Sequence, residues 1–245
     1  MGYQLFSDMT ADVSEALMRG MPEVAYVPMQ VELGGESFTY GPGGSLTVEQ
    51  FYAEQRAGKF ASTSQINPMI YRRCFEQALK AGKDVLYLCF SSGMSGTLQS
   101  ANLCAEELRE EYPARKLIVL DTLCASVGQA MLVREAARKQ QEALSIDELA
   151  AWVEENRLKI CHWFTVDSFD HLKHGGRVSA AAAASDDLDG SCRALVHFNF
   201  KHRKSPFCFA FNVKGTTGRC PVPRRKPEAP AFPFRDSQAI HDEKS

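Results

Sequence analysis

Asp84-Val85-Leu86-Tyr87-Leu88-Cys89-Phe90, followed directly by Ser91-Ser92-Gly93-Met94-Ser95-Gly96-Thr97, is the stretch whose reading decides the fold. The first seven residues are an apolar run of strand length, and the next seven are small and polar. From Thr97 the pattern turns helical through Ala101, Leu103 and Leu108. Strand, small-residue turn and helix start therefore follow one another. Small side chains leave backbone N–H groups uncovered, and the first turn of a helix carries donors without internal partners and a partial positive charge. Such a turn suits an anion. The hydroxyls of Ser91, Ser92, Ser95 and Thr97 add neutral donors, and no Lys or Arg stands within the turn. It can hold a carboxylate or phosphate without a salt bridge, although the same residues also read simply as a capped helix.

Working outward, strands and helices alternate. Tyr3 to Phe6 reads as a strand ending at the polar Ser7-Asp8-Met9-Thr10-Ala11-Asp12, with a helix over Val13 to Met18 capped by Asp12. Glu23 to Leu33 contains Pro28, which suits an edge or irregular strand. Gly34-Gly35 then turns the chain into Ser37 to Tyr40 as a hairpin. Thr47 with Gln50 forms a capping box for a helix to about Arg56. The polar break Ser62 to Asn67 precedes a helix opened by Pro68 and running to about Lys80. After Pro113, Lys116 to Leu120 is another strand, and Asp121 to Gln129 leads into a helix toward Gln141. Ser145 and Glu148 cap a further helix with Leu149, Trp152 and Val153 on one face. Ile160 to Val166 reads as a strand, before a segment ending in Gly175-Gly176-Arg177 that matches a glycine-capped, basic helix end. The alternation implies parallel β-α-β units in an α/β fold. In such a sheet the carboxyl ends of the strands share one edge, so the polar breaks at Asp8, Thr63, Ser91 and Asp121 are expected to converge on one crevice.

The 245 residues, with a net charge of −2, provide no whole-chain electrostatic reason to bind nucleic acid or an anionic membrane. No signal-peptide pattern opens the chain and no apolar run is long enough to span a bilayer, so a cytoplasmic protein without stable membrane insertion is expected. The eight cysteines contain no C-x-x-C pair, which leaves neither a zinc site nor a redox motif to expect. No G-x-x-x-x-G-K-[ST] occurs, so a phosphate-cradling loop of that kind is excluded. Ser95 between strand and helix raises a serine hydrolase as an alternative, but Thr97 stands where G-x-S-x-G requires its second Gly.

Five motifs, taken together and in order, resemble the DegV family: Ser7-Asp8-Met9-Thr10-Ala11-Asp12; Thr63-Ser64-Gln65; Ser91 to Thr97; Ala125-Ser126-Val127-Gly128-Gln129 after Asp121; and Leu172-Lys173-His174-Gly175-Gly176-Arg177-Val178-Ser179. The resemblance covers roughly residues 3 to 184. It implies a DegV-like fold of two α/β domains, the first with a largely parallel sheet flanked by helices. It also implies a long-chain fatty acid as ligand, with no other cofactor, no metal and no catalytic residue of the chain's own. A separate ATP-binding subunit of a fatty-acid kinase is the implied partner. Carried over by motif, Thr63, Ser95 and Gly96 hold the fatty-acid carboxylate, and Arg177 stands at the rim near the head group or the partner. Ser7 replaces the family's usual Thr, and His174 its usual Lys or Arg.

The resemblance implies a first domain over residues 1–155 and the start of a second over 156–184. From about residue 185 the family pattern stops, and six of the eleven prolines fall after residue 200. Residues 185–245 therefore read as an aberrant tail translated out of frame, leaving the second domain truncated. That admits a truncated, non-functional product as another reading. A divergent tail carrying the basic segment Pro223-Arg224-Arg225-Lys226-Pro227 is the alternative.

Overall fold

The computed structural model describes residues 2–160, 162 and 170–176. Four parallel strands form the central sheet: β1 (Tyr3–Asp8), β2 (Val24–Val27), β6 (Asp84–Cys89) and β7 (Leu117–Asp121), in the order β2-β1-β6-β7. Leu5 lies beside Leu86 and Phe6 beside Tyr87 in register, so each sheet face receives alternate residues. One face, with Leu5, Leu86, Leu88 and Leu120, is covered by α5 (Ser126–Gln141) and α6 (Ile146–Asn156). The other, with Phe6, Val85, Tyr87 and Leu117, is covered by α3 (Pro68–Lys80) and α4 (Thr97–Glu111). Burial on both faces explains why β6 reads as a continuous apolar run.

A second, antiparallel sheet of order β4-β3-β5 consists of β3 (Met29–Leu33), β4 (Glu36–Tyr40) and β5 (Ala61–Thr63). Pro28 is the single residue between β2 and β3, and the chain passes there from one sheet to the other. The β3–β4 hairpin turns at Gly34 (φ 62°) and Gly35 (φ 87°), left-handed values that glycine reaches at no steric cost. Val31, Leu33 and Leu46 form a small core beneath this sheet, packed with Phe38 and Phe51.

Caps follow sequence closely. Thr47 and Gln50 close a reciprocal capping box on α2 (Val48–Arg56), as do Ser145 and Glu148 on α6. Asn67 caps α3 ahead of Pro68. Two expectations need correction. The helix expected from Val13 is only α1 (Glu15–Met18), capped by Ser14. Asp12 instead ends a 3-10 turn over Met9–Ala11 with φ 49°, and its Oδ2 accepts from the Ser126 hydroxyl at 2.6 Å. The polar break at Ser62 also hides a strand, since β5 pairs Thr63 with Val31 and Ala61 with Leu33.

The helix α7 (Asp170–His174) ends as the sequence implies: Gly176 adopts φ 70° and its N–H returns to Lys173 O. The strand expected over Ile160 to Val166 lies largely outside the described residues, as do Arg177 and the 185–245 tail. No helix among the described residues is long and apolar enough to cross a membrane.

Candidate functional site at the carboxyl edge of the sheet

From β1 the chain reaches β2 on one side and later returns to β6 on the other, so the strand order reverses between β1 and β6. In open parallel sheets ligands sit outside the strand ends at such a reversal. The side chains there are knitted together. Asp8, fully buried at the end of β1, accepts through Oδ2 from the Tyr87 hydroxyl at 2.8 Å and from Phe90 N–H at 3.0 Å. Its Oδ1 accepts from Thr10 N–H at 3.1 Å and lies 3.4 Å from Gln129 Nε2. Gln129 Nε2 also donates to Ser7 Oγ at 3.2 Å, and the Ser7 hydroxyl donates to Leu88 O at 2.9 Å. Asp8 thus has neutral donors on both oxygens, which is what a buried carboxylate needs when no cation among the described residues pairs with it.

Asp121, at the end of β7, holds the turn from the opposite side. Its Oδ1 accepts from Ser92 N–H at 3.2 Å and Leu123 N–H at 3.0 Å, and its Oδ2 accepts the Ser92 hydroxyl. Arg157 donates to the Asp121 main-chain oxygen at 2.6 Å. Three contacts therefore join four polar breaks: Asp8 to Phe90, Asp121 to Ser92, and Gln65 to Gly96.

The third contact is steric. A Cβ built on Gly96 would lie 2.1 Å from Gln65 Nε2, so the glutamine amide rests directly against the glycine. Gln65 Oε1 meanwhile faces Ser100 Oγ at 3.5 Å.

The supply of main-chain donors is narrower than small residues alone imply. Phe90 N–H goes to Asp8, Ser91 N–H to Cys124 O and Ser92 N–H to Asp121. Gly93 N–H goes to Ser91 Oγ, and Met94 and Ser95 N–H both go to Ser91 O. Gly96 caps α4 without a side-chain bond, and its own N–H has no partner among the described residues. Ser95 Oγ accepts from Thr97 N–H at 3.2 Å and lies 2.7 Å from Thr97 Oγ1, so its proton can go to Thr97 or outward. Ser95 and Gly96 border a cavity of about 390 Å³ with Ser92, Leu98, Gln99 and Leu103. Thr63 is exposed on β5, outside that lining, two residues before Gln65. Of the apolar residues considered for a tail, Leu98 lines the cavity, Phe75 is buried in the core and Met69 is largely exposed.

No imidazole is hydrogen-bonded to Ser95 among the described residues. His162 is engaged elsewhere, its Nε2 accepting Ala125 N–H at 3.2 Å at the start of α5. Burial pushes the His162 imidazole below its ordinary value. Cys89, beside Asp8 in the core, is pushed the other way by burial and then by the carboxylate, which keeps it a thiol. Among the described residues no group of three or more His, Cys, Asp or Glu side chains can hold a metal ion.

Comparison with known proteins agrees with this architecture. Residues 3–188 match the family model described as "Uncharacterised protein, DegV family". A DegV domain-containing protein of Clostridium perfringens is 40% identical over 186 residues, covering 76% of this chain and 64% of that protein. A DegV family protein from Thermus thermophilus, whose structure is described as showing fatty acid binding, superimposes with TM-score 0.61 at 33% identity, covering 75% of this chain and 63% of that one. A stearic acid-binding protein from Eubacterium ventriosum gives TM-score 0.65 at 25% identity, covering 77% of this chain and 64% of that one. This chain thus spans somewhat less than two thirds of the length of these relatives. With its parallel sheet, its linked polar turns and a family match extending over residues 3–188, the chain belongs to the DegV family.

Proposed function

We propose that the chain binds a long-chain fatty acid, holding the carboxylate with Thr63, Ser95 and the N–H of Gly96 so that a separate kinase subunit can phosphorylate it. The observation that carries this reading is the uncommitted Gly96 N–H beside the Ser95 hydroxyl, in a turn whose preceding N–H groups are already bonded. A fatty acid is ionised at neutral pH, and its head group requires donors wherever it leaves water. The fatty-acid-binding relatives from Thermus thermophilus and Eubacterium ventriosum support the ligand class.

Affinity would come from the tail. At about 0.8 kcal/mol per buried methylene, a chain of ~15 methylenes offers roughly 12 kcal/mol before ordering costs. The chain itself would need no general base: it presents the acid, and nucleotide and metal belong to the partner. Arg177, outside the described residues, is proposed as the rim contact to head group or partner.

Mass spectrometry of an organic extract from the purified, denatured chain tests the reading against a Thr63→Ala/Ser95→Ala variant. Near-stoichiometric fatty acid in the wild type, lost in the variant, is expected. A well-folded wild type that carries and takes up no fatty acid overturns it.

A further inference from the structure

We infer that Gln65 is a direct head-group ligand of the carboxylate site, and that Gly96 lacks a side chain so that the Gln65 amide can reach it. The inference rests on the fatty-acid reading above and extends it to a residue two positions beyond Thr63, on the segment between β5 and α3.

Gln65 is exposed, on the segment between β5 and α3, yet its amide lies against the N-terminal end of α4. Any Cβ at position 96 would meet Nε2 at 2.1 Å, Cδ at 2.7 Å and Oε1 at 3.1 Å. Gly96 has φ −76°, a value open to every residue, so backbone conformation does not require glycine there. Space for the neighbouring amide does. With Oε1 turned toward Ser100 Oγ, Nε2 is the amide atom left to donate. It stands where a side chain on Gly96 would begin, on the residue whose own N–H is free, and the Ser95 hydroxyl belongs to the adjoining residue. Three neutral donors so grouped select a carboxylate over a neutral head group of the same tail, because donors to an anion form stronger bonds than donors to an alcohol.

Gln65 and Gly96 also belong to different parts of the fold. Gln65 follows the last strand of the antiparallel sheet, and Gly96 opens the helix that follows a central parallel strand. A carboxylate bonded to both spans that junction.

The test uses the full, delipidated chain titrated with octadecanoic acid and, separately, with 1-octadecanol, which has the same tail and an uncharged head. Gln65→Glu, nearly isosteric, sets a negative charge against the ligand and is expected to weaken acid binding at least tenfold, with alcohol binding within twofold of wild type. Gln65→Ala is expected to weaken acid binding severalfold with the same selectivity. Gly96→Ala displaces only the end of a flexible side chain, so the melting temperature should stay near wild type while acid binding falls and alcohol binding does not. Acid affinity of Gln65→Glu within twofold of wild type, or equal losses for acid and alcohol, overturns the inference. If wild type binds neither ligand, the fatty-acid reading fails and takes this one with it; if wild type binds the acid and all three variants match it, only the role of Gln65 fails.

Discussion

Asp8 and Phe90 are 82 residues apart in sequence and joined by a 3.0 Å hydrogen bond, the carboxylate of the first strand accepting the N–H that opens the candidate anion turn. Asp121 makes the corresponding contact to Ser92. The turn is consequently suspended between two acidic residues, each of which accepts one main-chain N–H from it. Of the turn's own donors, those left beyond these contacts are at Ser95 and Gly96.

Replacing Asp8 by Ala removes the acceptor of the Phe90 and Thr10 N–H groups and leaves the buried Tyr87 hydroxyl only the Tyr71 hydroxyl as partner. Unsatisfied buried donors cost about 1–3 kcal/mol each, so a loss near 3 kcal/mol is expected in urea unfolding. Ser14→Ala, which removes only the cap of the four-residue α1, should cost about 1 kcal/mol or less by the same measurement. Equal losses would show that Asp8 does not organise the core.

Gly128 provides a reversal of sign. In an ordinary helix interior, Gly→Ala gains about 0.5–1 kcal/mol. Here a Cβ would come within 2.0 Å of His162 Nε2 and dislodge the acceptor of Ala125 N–H. Thermal unfolding should find Gly128→Ala less stable than wild type by about 1 kcal/mol, the cost of a displaced hydrogen bond. The usual gain should return when His162→Ala is added. A stabilised single variant would refute the contact.

The same histidine sets a pH dependence. Its folded value lies below the ordinary one near 6.5 because burial disfavours the imidazolium, so below about pH 6.5 the unfolded chain binds the extra proton first. Its contribution to stability is complete above that pH and is lost as pH falls toward the folded value. Melting temperatures between pH 5 and 8 should fall on acidification more steeply for wild type than for His162→Gln; parallel profiles would exclude His162 as the source.

For the chain beyond residue 185, the expectation concerns DNA. A one-base shift near codons 180 to 190 should restore a DegV-like reading frame, consistent with the family match ending at residue 188. Sequencing that region decides it, and a frame that yields no such continuation when shifted establishes residues 185–245 as a divergent tail.

What was legible in the sequence is what local chemistry controls. Capping pairs such as Thr47 with Gln50 act over three residues, and the parallel strands announce themselves because burial on both faces demands apolar runs like Asp84 to Cys89. The strand β5 escaped because Ala61-Ser62-Thr63 is short, polar and largely exposed, and its pairing with Val31 and Leu33 depends on a partner some thirty residues away. Asp12 was misplaced for a related reason: a cap-type residue serves any nearby donor, and Ser126, remote in sequence, brought a better one. In the anion turn the residue types were readable but the occupancy of their N–H groups was not, because Asp8, Asp121 and Cys124 claim three of them across the fold.

Pro28 gives the chain a one-residue joint between its two sheets, and the proposed head-group contacts fall on both sides of it: Thr63 belongs to the antiparallel sheet, while Ser95 hangs from the parallel one. An acid held by both residues would act as a rivet across a seam that the covalent chain crosses at Pro28 and again between β5 and β6, through α3. Amide hydrogen exchange should register this unevenly: loading with acid slows exchange along β3 and β5, where opening costs least, and leaves Leu5 and Leu86 in the parallel core nearly unchanged.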